Sequence, residues 1–248
     1  MKQIVQNFVD GLLFTFSTLK FLFKNPLFLI GSIIIILAQF GLSTVFFIVA
    51  RKIDNYTVQL SASILDHIVV IFFFYIIATA AYNKTHYQSY TFLSLLKSIS
   101  TKIVPLIFTI LVWVTVNATI FSVRMPFAVF IQMIILSILS LLISLFIAVL
   151  EDENKGIIET IKQYMTLVKT LFWQLMGGAI GVFALAFIPS ATLYNIGTYI
   201  QTAFTVPTYV SLFLGLPLFS IIIIWNLIMI CAAVIFGVLL HYQYKKQW

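Results

Sequence analysis

Six runs of apolar residues, near 27–50, 64–82, 103–122, 127–150, 172–192 and 218–240, constrain this chain more than any other feature. Each is nearly free of charge and, at about 20 residues, long enough to carry a helix across the ~30 Å hydrocarbon layer of a bilayer. In water such runs would expose large apolar patches, whereas in lipid they need only satisfy their backbone groups internally, as a helix does. The expected fold class is all-α, a polytopic transmembrane helical bundle of six spans forming a single transmembrane domain over 1–248. Composition agrees: 62% of the 248 residues are hydrophobic, only 8% are charged, and the mean hydropathy is +1.13.

Charge then orients the spans. Taking the connections alternately, Lys2, Lys20, Lys24, Lys84, Lys97, Lys102, Lys155, Lys162, Lys169, Lys245 and Lys246 fall on one side, and Arg51, Lys52 and Arg124 on the other, eleven against three. Basic residues accumulate on the cytoplasmic side of membrane proteins, so both termini are expected in the cytoplasm, with the chain in the plasma or inner membrane of the cell. The first residues do not read as a secretory signal, because Asp10, Lys20 and Lys24 interrupt the apolar pattern. One cysteine, Cys231, rules out an intrachain disulfide and reads as a small core hydrophobe.

Before the first span, Phe8, Leu12, Phe16, Leu19 and Phe23 recur at helical steps, which predicts an amphipathic helix over 4–24 lying in the interface plane. Asn25 and Pro26 suit a cap and a first helical turn, so the chain turns there from lying to crossing. Two further segments repeat the design. Over 88–102 the stripe is Phe92, Leu95, Leu96, Ile99 and Ile103; over 155–171 it is Ile157, Ile158, Ile161, Met165 and Val168, continuing to Phe172. Three units of similar build are therefore expected, each a lysine-bearing amphipathic helix followed by a two-span hairpin.

Polar residues within the spans are few. Gln39, Asn117, Gln132 and Asn226 lie one per span, and their amides need partners in hydrocarbon. Ser137, Ser140 and Ser144 form a small-residue stripe, and Gly177 with Gly181 makes a GxxxG; both features suit close helix packing. Asp66 and His67 are placed at the outer end of the second span, as end caps or as an ion site. Glu151, Asp152 and Glu153 form the one acidic cluster, read as the lead into the third amphipathic helix, where a helix dipole favours acids. Segment 193–217 carries Tyr194, Tyr199 and Tyr209 between Gly and Pro breaks, and reads as an outer interfacial segment, a lid or a partner surface.

Three stretches carry a resemblance: FSTLKFLFKNPLFL, FFFYIIATAAYNKTHYQSYTFLSLLKSI and FIAVLEDENKGIIETIKQYMTLVKTLFWQLMGGAIG. Over about 12–190 the chain resembles a family of uncharacterised prokaryotic six-span integral membrane proteins. In that family the last stretch runs from an acidic residue through a basic amphipathic helix to Trp and Gly entering a span; Glu151, Trp173 and Gly177 or Gly178 occupy similar places. The resemblance implies topology only, the family having no established activity to carry over, and Asp152-Glu153 extends the acidic site beyond the family pattern.

No nucleotide loop, nucleophile elbow, HExxH or CxxC is present, and the lysines are dispersed along membrane-facing helices. No catalytic residue, metal site or cofactor is expected, nor nucleic-acid binding. The reading is of a non-enzymatic integral membrane protein, a lipid-contacting scaffold or assembly component whose Lys20, Lys24, Lys97, Lys102, Lys162 and Lys169 meet headgroups, chiefly anionic lipid. A membrane-protein partner or a homo-oligomer fits equally. The alternative is a small transporter or channel for a neutral or weakly polar solute, with Gln39, Asn117, Ser140, Ser144 and Asn226 as its polar interior. An enzyme would need Asp66 and His67 joined by another buried titratable group.

Overall fold

A computed structural model describes residues 2–53, 56–122, 128–152, 157–203 and 208–247, and every regular element among them is a helix. In chain order these are α1 (Lys2–Lys24), α2 (Pro26–Lys52), α3 (Tyr56–Thr85), α4 (Phe92–Thr101), α5 (Ile103–Ser122), α6 (Ala128–Asp152), α7 (Ile157–Ala203) and α8 (Thr208–Gln247). Five are long and apolar enough to cross a membrane, and α4 with α5 makes a sixth candidate bent by 84°. The protein is an all-helical polytopic bundle suited to a membrane.

Breaks fall where backbone chemistry puts them. Pro26 opens α2, where its missing N–H has no partner to lose. Asn25, expected to cap α2, closes α1 instead: its backbone N–H reaches the Leu22 carbonyl at 3.0 Å and its side-chain amide the Phe21 carbonyl at 2.8 Å. It thereby fills two of the acceptors a helix end leaves open. Thr91 and Ser94 start α4 by a reciprocal cap, each side-chain oxygen accepting the other's backbone N–H, at 3.2 and 2.9 Å. Helix α4 is consequently shorter than the expected 88–102.

The third unit departs from the pattern of the first two. No proline stands between Ile157 and Pro189, so from Ile157 onward the expected amphipathic helix over 155–171 and the span over 172–192 are one continuous helix, α7, of 47 residues. At 1.5 Å per residue it is about 70 Å long, more than twice a hydrocarbon layer. The supposed outer segment 193–217 is also largely helical, since α7 runs on to Ala203 and α8 begins at Thr208. Tyr199 is exposed there, while the side chains of Tyr194 and Tyr209 lie outside the described residues. Pro189 and Pro217 sit inside helices rather than in a loop.

At the centre α6 and α8 meet, flanked by α3 and α7, while α2 is peripheral: 17% of its most apolar window is buried, against 61% for those of α6 and α8. Close approach of α6 and α8 depends on Gly237, where a β-carbon would overlap the Leu145 nitrogen and the Ser144 hydroxyl. The Gly237 N–H donates to Ser144 Oγ at 2.9 Å, and that hydroxyl donates to the Leu141 carbonyl at 3.0 Å. The serine stripe thus packs helices, as small residues do where lipid removes any hydrophobic drive to associate.

Helix α1 is docked along α7 rather than lying apart from it. Gly11 has no room for a β-carbon against the Gln174 backbone, nor Gly177 against the Phe8 carbonyl. The face of α1 turned inward is Gly11, Thr15, Thr18, Leu19 and Leu22, whereas Phe16 and Phe23, assigned to the apolar stripe, are exposed. Helix α7 divides likewise: Thr160, Leu167 and Leu171 are buried and Ile158, Met165 and Phe172 are exposed. In α1 the small and polar Gly11, Thr15 and Thr18 face the neighbour beside Leu19 and Leu22, in α7 Leu167 and Leu171 do so, and the other bulky apolar side chains named face outward, as lipid permits.

Candidate functional site

Polar contacts draw one end of the bundle together. Helices α3, α6 and α8 finish there and α5 starts there. Glu151 and Asp152, the last two residues of α6, are the chemical focus. They do not lead into the next helix as the sequence suggests; each points into the bundle, with its side chain only 10% exposed.

Glu151 is held from three elements. One carboxylate oxygen accepts from the hydroxyls of Tyr75 and, at 3.3 Å, Thr79 on α3, and at 3.0 Å from Ser98 on α4. The other oxygen lies 2.7 Å from Lys102 Nζ, at the corner between α4 and α5. A carboxylate removed from water is tolerable only when its lone pairs are filled and its charge matched, and Glu151 meets both conditions. Tyr75 and Thr79 are four residues apart, hence on one face of α3, which is why both reach the same oxygen.

Asp152 binds the remaining partners. Its Oδ1 accepts from the Tyr82 hydroxyl at 3.0 Å, and its Oδ2 pairs with Lys245 Nζ, with His241 Nε2 at 3.9 Å. His241 and Lys245 stand one helical turn apart on α8. Tyr82 stacks on His86 with ring centroids 4.1 Å apart, and the His86 Nδ1 is 2.9 Å from the Tyr82 carbonyl. Adjacent carboxylates therefore bind two different groups of helices, α3, α4 and α5 by Glu151 and α3 with α8 by Asp152. Among the described residues no three His, Cys, Asp or Glu side chains are grouped so as to hold a metal ion. With both carboxylates ion-paired and hydrogen-bonded, the arrangement clamps helix ends.

The residues singled out for headgroup contact divide. Lys20, Lys24, Lys97, Lys162 and Lys169 are exposed, whereas Lys102 is engaged by Glu151 and is not a free headgroup cation. Among those singled out for a polar interior, the described side chains do not come together. Gln39 donates to Ser43 at 2.9 Å, and Ser43 donates to Asp66, which links α2 with α3 inside the candidate span Ile64–Thr85. Asn226 donates to Ser190 at 3.1 Å and to the Ile222 carbonyl at 2.9 Å, linking α8 with α7. Ser140 bonds its own helix at the Leu136 carbonyl, Ser144 joins α6 to α8, and the side chains of Asn117 and Gln132 lie outside the described residues.

Tyr75, Tyr82, Ser98 and Lys245 are the site residues that sequence reading did not single out. Tyr75 and Tyr82 sit one per two turns on the face of α3 that also carries Thr79, a polar stripe in an otherwise apolar span that had been visible as spacing.

Fold and site together define a membrane-embedded, all-helical polytopic bundle whose central helix ends are joined by ion pairs to two largely buried carboxylates. Comparison of the chain with protein-family models, with curated proteins and with solved structures finds no match.

Proposed function

We propose that the protein is a non-enzymatic, lipid-contacting scaffold or assembly component of the cell membrane, with its lysine-bearing end and both termini on the cytoplasmic side. The observation that carries this reading is the division of labour among the charges. The buried acids Glu151 and Asp152 are each matched by a lysine, while Lys20, Lys24, Lys97, Lys162 and Lys169 stay exposed on helices gathered near the same end. Exposed ammonium groups at headgroup depth attract anionic lipid at about 1 kcal/mol each, less whatever salt screens.

Two measurements test it. Single cysteines at Lys97 and Lys162, in a Cys231→Ser background, should react with an impermeant thiol reagent only from the cytoplasmic side, and one at Lys52 only from outside. Changing the five exposed lysines to glutamine should abolish preferential retention of phosphatidylglycerol over phosphatidylcholine during detergent extraction. External labelling at Lys97 and Lys162 would remove the orientation, and undiminished anionic-lipid retention would remove the lipid-contact reading.

A further inference from the structure

Between α1, α7 and α8 lies a cavity of about 470 Å³, within the ~300–1,000 Å³ usual for small-ligand sites. Its walls are unusually polar for a membrane bundle, and include Asn7, Asp10, Ser17, Gln174, Gln243 and Tyr244. Asp10 is the one charged side chain among the lining residues, in a chain of net charge +7. Its carboxylate accepts from Gln6 Nε2 at 2.9 Å, which leaves lone pairs open. Gln174 adds a second acceptor: its side-chain oxygen is buried and has no hydrogen-bond partner. Leaving a buried carbonyl unpaired is costly, so the site as built calls for a donor.

The cavity adjoins a second, apolar one of about 280 Å³, and Phe14, Ser17 and Gln243 line both. Phe21, Leu239 and Tyr242 extend the apolar wall, and Lys246 borders it. A polar chamber opening onto an apolar groove is the shape of a site for an amphiphile. Charge selects which one. A carboxylate repels an anionic headgroup and attracts an ammonium, the buried Gln174 oxygen needs an N–H, and Lys246 supplies a cation for a phosphodiester on the groove side.

We propose that this chamber binds the headgroup of a phospholipid bearing a primary ammonium, with one acyl chain in the groove along Phe14, Phe21 and Leu239. A primary ammonium carries three N–H donors, enough for Asp10 and Gln174 together; a quaternary ammonium carries none. The proposal concerns the half-open pocket between α1, α7 and α8 and not the exposed lysines, so either reading can fail while the other stands.

The test uses the full-length protein in nanodiscs holding equal parts of dioleoyl phosphatidylethanolamine, phosphatidylcholine and phosphatidylglycerol, with retained lipid counted by native mass spectrometry. Phosphatidylethanolamine should be retained at one tightly held copy, with about tenfold preference over phosphatidylcholine, the ratio expected for a charge-assisted hydrogen bond. Asp10→Asn should erase that preference, Gln174→Leu should weaken it, and Gln changes at Lys20 and Lys24 should leave it intact. Equal retention of the ethanolamine and choline lipids by the unaltered protein would overturn the proposal, as would an ethanolamine-over-choline preference that survives Asp10→Asn. Displacement of the lipid by glycerophosphoethanolamine at matched concentration would overturn the assignment of the groove to an acyl chain. Because the headgroup series is read on the unaltered protein, it decides even where a variant misfolds.

Discussion

Trp225 Nε1 donates to the carbonyl oxygen of Leu185 at 2.6 Å, and that carbonyl is the one Pro189 leaves without its helical donor. Proline at position i has no N–H for the carbonyl at i−4, and in lipid no water replaces it. The indole of α8 fills the gap and so fastens α7 to α8. Trp225→Phe should therefore destabilise the bundle by about 1 kcal/mol, in the range of interhelical hydrogen bonds in membranes. Pro189→Ala restores the helical donor, so in that background the same Trp change should cost markedly less. Reversible unfolding in mixed detergent, run as a double-mutant cycle, measures the difference; equal costs in both backgrounds would break the link.

Glycines separate by what surrounds them. A methyl at Gly237 would overlap backbone of α6, while nothing lies within 4 Å of one at Gly31. Gly237→Ala should cost about 1–3 kcal/mol as an overpacked contact. Gly31→Ala should be neutral or stabilise by about 0.5–1 kcal/mol, through the entropy a mid-helix glycine otherwise loses. Thermal midpoints of the two variants in one detergent give opposite signs if the crossing of α6 and α8 is as close as described.

Docking of α1 rests on Gly11 and Gly177, which let its backbone lie against that of α7. Gly177→Leu should lift α1 away while the central helices α6 and α8 stay packed. Hydrogen exchange over residues 8–22 should then accelerate by at least tenfold with little change over 140–150. Uniform acceleration across the chain would mean that α1 is part of the same cooperative unit.

What the sequence made legible follows its physics. Long apolar runs announce spans because lipid permits little else, and Pro26 announces the break before α2. The capping role of Asn25 and the continuity of α7 were not legible, because both turn on local geometry: which end the amide bends toward, and whether any residue interrupts 157–189. Which side of α1 packs against its neighbour was not legible, for a general reason. Periodicity shows that Phe8, Phe16 and Phe23 share a side, but in a membrane that side is the lipid side as readily as the core, and it is Gly11, Thr15 and Thr18 that mark the contact. Of the site, the acids at 151 and 152 stood out as a cluster, yet their partners come from α3, α4 and α8, remote in the chain. Only the fold brings Tyr75, Ser98, Lys102 and Lys245 to them.

Glu151 gives the sharpest mutational test, since a buried ion pair behaves differently when one half or both halves are removed. Glu151→Ala strands Lys102 in a setting where it is 21% exposed and leaves Tyr75 and Ser98 without their acceptor. A cost of about 3 kcal/mol is expected, the lower part of the range for breaking such pairs. Lys102→Met leaves the carboxylate still held by three hydroxyls, from Tyr75, Thr79 and Ser98, so its cost should be smaller. The double variant Glu151→Gln with Lys102→Met removes both charges while the amide oxygen still accepts from those hydroxyls, and it should recover much of the loss. Helix α4 supplies the local readout. It is tied to the bundle through Ser98 and through Lys102 at its end, so in Glu151→Ala the segment 91–101 should become the first site of limited proteolysis, and in the double variant it should be protected again. If α4 stays protected in Glu151→Ala, the carboxylate does not hold the bend between α4 and α5, and the apolar contacts of Leu95 and Ile99 suffice to seat it.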